Sequence, residues 1–114
     1  MTQHRKTRGY ASQRIAADWF AANGFPYAEP VGAGRSGSDV TGMPGIDIEV
    51  KARRGFDPTA AMRQQEDRAA FGALAFALLR MDGQGPAAIG AWPVVIRLDA
   101  FTQLLRAAGY GDPE

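Results

Sequence analysis

Ser38-Asp39-Val40-Thr41-Gly42-Met43-Pro44-Gly45-Ile46-Asp47-Ile48-Glu49-Val50-Lys51 is the stretch on which the reading of this chain turns. Its last six residues alternate apolar with charged. In an extended strand Ile46, Ile48 and Val50 fall on one side, and Asp47, Glu49 and Lys51 on the other. Gly42-Met43-Pro44-Gly45 reads as a turn, since glycine and proline dominate it. Asp39-Val40-Thr41 reads as a short strand, so the two strands are expected to form a hairpin around the turn. Such a hairpin brings Asp39 close to Glu49.

Two close carboxylates repel unless a cation or a proton sits between them. Mg²⁺ is bound by one or two carboxylates together with waters and phosphate oxygens. The expected metal donors are therefore Asp39 and Glu49, with the carbonyl of Val50 as a further oxygen and Mn²⁺ able to substitute. A lysine two residues past the glutamate projects beside that ion. The set suits phosphodiester hydrolysis, in which a metal polarises the scissile phosphate and lowers the pKa of a bound water. Lys51 then orients or deprotonates the attacking water, or offsets charge growing in the transition state. The competing reading of the same strand is a solvated face with charges of both signs. Asp47 reads as a solvent-facing or supporting acid, or as a ligand for a second metal.

Upstream of Asp39, residues 32–38 are too rich in glycine to pack alone and are expected to be ordered by a ligand or a neighbour. They lack the Gly-Lys-Ser/Thr end of a nucleotide P-loop, and no helical pattern follows. Before them, Ile15, Ala16, Trp19, Phe20 and Ala22 draw one stripe on a helix from about Tyr10 to Asn23, which Asn23-Gly24 ends. Phe25-Pro26-Tyr27 then leads into an edge strand. Residues 1–8, with Arg5, Lys6 and Arg8, read as a basic flexible arm.

After Lys51, Asp57-Pro58 starts a helix that runs to about Ala70. Ala73 to Met81 reads as a buried strand, with a helix as the alternative that its alanine content leaves open, and Asp82-Gly83-Gln84-Gly85-Pro86 as a turn. Residues 89–97 form a strand with Trp92 and Val94 to Ile96 in the core. Leu98 to Ala108 is an amphipathic helix carrying Phe101, Leu104 and Leu105, and 109–114 a flexible tail. The order α-β-β-β-α-β-β-α describes an α/β domain, with helices flanking a mixed sheet. Trp19 and Trp92 are expected in the core; Tyr10 is either core or a DNA contact.

The 114 residues fit one domain, placed at 9–108. Thirteen Lys and Arg against twelve Asp and Glu leave a net charge of +1, so only the distribution of charge speaks of partners. Acids set among bases suit a site that holds a cation and touches a polyanion. Without cysteine there is no disulfide, zinc-thiolate site or cysteine nucleophile. His4 alone cannot build a Ser-His-Asp triad or a multi-histidine metal site. No apolar run approaches the roughly 20 residues of a membrane span. The polar N-terminus does not read as a secretory signal, so a cytosolic protein is expected.

The ordered set of helix, glycine loop, Asp39, turn and Ile48-Glu49-Val50-Lys51 strand resembles the core of the PD-(D/E)XK nuclease superfamily. More narrowly, it is similar to the small Holliday-junction resolvases of archaea and the resolvase-like proteins of actinobacterial phages. Arg8-Gly9-x-x-x-Gln13-Arg14 and Asn23-Gly24-Phe25-Pro26-Tyr27 extend the likeness, which covers about residues 7–106. It implies a restriction-endonuclease-like fold, with Asp39 and Glu49 as metal ligands and Lys51 as the catalytic lysine. Family members often carry a glutamate in the first helix near the metal; here that position is Gln13, which can ligate through its oxygen or hold a metal-bound water. By the same resemblance Arg8, Arg14, Arg35 and Ser36 contact DNA, and Gln64 or Gln65 positions the scissile strand. Arg53 and Arg54 are surface charges or phosphate contacts.

The activity implied is Mg²⁺-dependent cutting of four-way DNA junctions in recombination and repair, in a bacterial cytosol, with a phage gene as one origin. Symmetric cutting calls for two active sites, which a two-fold homodimer supplies. The alternatives are another repair or restriction-like nuclease of this fold, or a DNA-binding module that has lost catalysis.

Overall fold

The computed structural model describes residues 3–32, 38–52, 59–60, 62–63 and 72–113. Helix α1 (Gln3–Ala22) is followed by strands β1 (Glu29–Pro30), β2 (Val40–Thr41), β3 (Ile46–Lys51) and β4 (Leu74–Leu79). A 3-10 helix (Pro86–Ala91), strand β5 (Val94–Ile96) and helix α2 (Leu98–Ala107) complete the chain. The class is mixed α/β, as expected. Residues 59, 60, 62 and 63 are helical, inside the span expected for the helix after β3.

α1 starts at Gln3 rather than near Tyr10, taking in most of the stretch read as an arm. Its buried stripe also differs in phase from the one expected. Ser12, Ala16 and Ala17 are fully buried, with Ile15, Phe20 and Ala21 packed around them, whereas Trp19 stays 39% exposed. Small residues on the inner face let the helix lie close on the sheet, and the larger indole is left outside. The helix stops where Gly24 takes φ +105°, while Asn23 caps the turn by donating from its side-chain amide to the Trp19 carbonyl at 2.7 Å.

The expected hairpin is replaced by two separate sheets. β2 pairs antiparallel with β1, Val40 opposite Pro30, and β3 pairs parallel with β4, Ile48 opposite Phe76. β5 joins the far side of β4 antiparallel, giving the order β3-β4-β5. Phe25-Pro26-Tyr27 leads into the short strand β1 as expected, whereas the strand expected from residue 89 is confined to 94–96 behind the 3-10 helix. A parallel pair needs a long crossover, and residues 52–73 supply it.

The alternation of β3 holds as read. Ile48 is fully buried and Ile46 and Val50 pack beside it, in one cluster with Ala16, Ala17, Val40, Met43, Leu78 and Trp92. The opposite face carries Asp47, Glu49 and Lys51, in register with Ala75, Ala77 and Leu79. Asp47 and Glu49 are each only 8% exposed, so Asp47 is not a solvent-facing acid. Alanine across the strand leaves room for both carboxylates.

The amphipathic helix α2 has no buried residue, and Phe101 and Leu104 are each 44% exposed. With Trp19, Phe76, Trp92 and Val94 they line an apolar cavity of about 540 Å³. Past α2, Arg106 donates to the carbonyls of Tyr110 (3.1 Å) and Asp112 (2.9 Å), folding the expected tail back on the helix.

Candidate active site

Without a β2–β3 ladder, Asp39 reaches β3 by other bonds. Its amide donates to the Ile48 carbonyl at 2.8 Å, and its Oδ2 accepts from the Val50 amide at 2.8 Å. A carboxylate oxygen thus sits on the amide of Val50, the residue between Glu49 and Lys51. Lys51 Nζ lies 2.8 Å from Glu49 Oε1, and the two side chains are only 22% and 11% exposed. A charge-assisted contact this short and sheltered fixes both groups more firmly than a surface pair.

Do these residues fit a divalent ion? No group of three or more His, Cys, Asp or Glu side chains able to hold a metal occurs among the described residues. Mg²⁺ is content with one or two carboxylates when waters and substrate phosphate complete its octahedron. Asp39 and Glu49 supply hard oxygen donors of that kind, beside the strand edge bearing Val50. Lys51 holds Glu49 at 2.8 Å beside them.

Gln13 is half-buried on α1, and its Oε1 accepts from the Gly32 amide at 3.1 Å. It therefore anchors the near end of the glycine-rich segment. Gln13→Ala is expected to cost about 1 kcal/mol, the worth of one such bond, read as a small drop in urea midpoint. An unchanged midpoint would show that the bond adds nothing.

Arg14 is exposed and lies 3.6 Å from Asp18 on the same helix. Arg35, Ser36, Arg53, Arg54, Gln64 and Gln65, and the side chain of Arg8, lie outside the described residues. Two residues of the region escaped the sequence reading. Arg80 follows β4, donates its amide to the Lys51 carbonyl at 2.7 Å and reaches Ser12 Oγ at 3.2 Å. Its guanidinium carbon stands 5.6 Å from the Trp92 ring centroid, a cation–π distance. An arginine closing the apolar run 73–79 was the signal for it. Ser38 is the other; its hydroxyl touches both β2 and β3.

No family model matches the chain, and no curated protein or solved structure is significantly similar to it.

Proposed function

We propose that this chain is a metal-dependent, structure-specific DNA endonuclease, resembling the Holliday-junction resolvases and using Mg²⁺ or Mn²⁺. The observation that carries the reading is the docking of the Asp39 carboxylate on the Val50 amide, flanked in sequence by Glu49 and its ion partner Lys51. A bound divalent ion would supply charge stabilisation at the scissile phosphate and an acidified water. Asp39 and Glu49 hold that ion, and Lys51 orients the water or offsets charge on the reacting phosphate. No covalent nucleophile is used, in keeping with a chain that has no cysteine.

Arg8 and Arg14, on α1, are taken to contact the DNA backbone. Arg8→Ala is expected to weaken junction binding and to lower the slope of log affinity against log salt by about one. A slope equal to wild type would remove Arg8 from the interface.

The working form is proposed to be a homodimer. Exposed Trp19, Val94, Phe101 and Leu104 line one apolar cavity, the patch that a second copy would cover about a two-fold axis. Sedimentation of wild type and Phe101→Asp tests this: a dimer is expected for the first and a monomer for the second. No helix among the described residues is long and apolar enough to cross a membrane.

The deciding experiment is cleavage of labelled four-way junctions, flaps, nicked and linear duplexes in Mg²⁺. Paired symmetric nicks in the junction alone support the resolvase reading; preference for another substrate points to a repair or restriction-like nuclease. A second reading, a DNA-binding module without catalysis, is favoured by the engagement of Gln13 with Gly32 where the family often places an acid. Junction binding in EDTA, with no cutting at any Mg²⁺ or Mn²⁺ level, would establish it.

A further inference from the structure

The edge of β3 that faces β2 is occupied in an unusual way. Three successive backbone groups on it meet one dipeptide, Ser38-Asp39. The Ile48 amide donates to Ser38 Oγ at 2.9 Å, the Ile48 carbonyl accepts from the Asp39 amide at 2.8 Å, and the Val50 amide donates to Asp39 Oδ2 at 2.8 Å. Two of the three partners are side-chain oxygens standing where a paired strand would offer backbone. The Ser38 hydroxyl also donates to the Val40 carbonyl at 2.8 Å, so one oxygen joins β2 to β3.

Ile48 is fully buried. Losing the hydroxyl would leave its amide without that acceptor in a dry setting, at a cost far above that of a solvated bond. The dipeptide would then shift to recover a partner. Asp39, the next residue, would carry its carboxylate with it. We infer that Ser38 is a positioning residue: its hydroxyl clamps the chain to β3 so that the Asp39 carboxylate is held on the Val50 amide, beside Glu49, in the orientation a divalent cation needs. The metal half of this rests on the proposed nuclease reading; the clamp itself does not.

Outer groups that orient a metal ligand typically change affinity 10–100-fold when removed. The test uses the full chain as wild type, Ser38→Ala, Ser38→Thr and Asp39→Asn, each checked for native circular dichroism. Two quantities are measured: hydrogen exchange at the Val50 amide by NMR, without metal, and Mn²⁺ affinity by titration calorimetry. In Ser38→Ala, Val50 exchange is expected to accelerate at least about tenfold and Mn²⁺ affinity to fall about 10–100-fold. Ser38→Thr keeps the hydroxyl and is expected to restore both. If Ser38→Ala does not fold, Ser38→Cys, which fills the same space with a weak acceptor, is read by the same criteria.

Unchanged Val50 exchange in a folded Ser38→Ala would overturn the clamp. Faster exchange, with Mn²⁺ affinity equal to wild type while Asp39→Asn loses it, would overturn the link to the metal. Faster exchange in a protein whose wild type binds no Mn²⁺ would keep the clamp and sink both the metal link and the nuclease reading.

Discussion

Glu49→Gln is expected to yield a folded protein that cuts branched DNA at least about 10³-fold more slowly than wild type. The side chain keeps its shape and loses only its charge. Removing one preorganised electrostatic group from a catalytic centre commonly costs 10²–10³-fold. Here the substitution also takes away one of the two carboxylates proposed to hold the cation, so the upper end of that range applies. The fold should tolerate it. Glu49 sits across from Ala77, and an amide fits the same space. Lys51 keeps an oxygen acceptor in the glutamine amide, loses only the opposite charge, and at 22% exposed can turn toward water, which eases the penalty.

Lys51→Ala is the less informative partner. It removes the lysine counter-ion from a Glu49 that is only 8% exposed, and so mixes a stability loss with a catalytic one. Single-turnover cleavage beside thermal melting separates these effects. Wild-type cleavage by Glu49→Gln would take this residue, and with it the proposed centre, out of the mechanism.

The second large effect falls on stability. Gly42→Ala is expected to destabilise the protein by about 3 kcal/mol or more, lowering its melting temperature by roughly 10 °C. Gly42 has φ +80°, where an L side chain is strained by about 1 kcal/mol or more. In addition, a Cβ there would overlap the carbonyl oxygen of Tyr27, which is backbone and cannot turn aside. Overpacking of this kind adds about 1–3 kcal/mol.

Gly45, three residues on, is the control. It has φ +77° but nothing within 4 Å of where a Cβ would stand, so Gly45→Ala should cost only the backbone strain. If the two alanine variants melt together, the close approach of the Tyr27 segment to the turn is not a feature of the protein in solution.

The turn shows how local sequence and tertiary structure divide the work. Gly42-Met43-Pro44-Gly45 announces a reversal, and both glycines do take positive φ. It does not announce that the strands on either side avoid each other. β2 is only two residues long and finds β1, while β3 finds β4 across more than twenty intervening residues. Pairing depends on which apolar faces come together in the core, and that information is spread over the whole chain. The mistaken phase of α1 has a similar origin. Trp19 is the most apolar-looking anchor in the helix, but the sheet lies too close for it, and Ser12, Ala16 and Ala17 take the inner face.

The features legible in the order of residues are periodic and local. Alternation in Ile46 to Lys51 puts the acids and the lysine on one face and the aliphatic residues on the other, because successive side chains of any strand diverge. The same kind of signal ends the first helix at Asn23-Gly24 and places the apolar strand after the crossover. Three outcomes belong to the assembled fold instead: Asp39 reaches the Val50 amide through its own carboxylate, Ser38 replaces a missing strand partner, and Asp47 and Glu49 are sheltered opposite alanines. Each depends on contacts between segments distant along the chain, and hydrogen bonds of that range leave no period for a sequence to display.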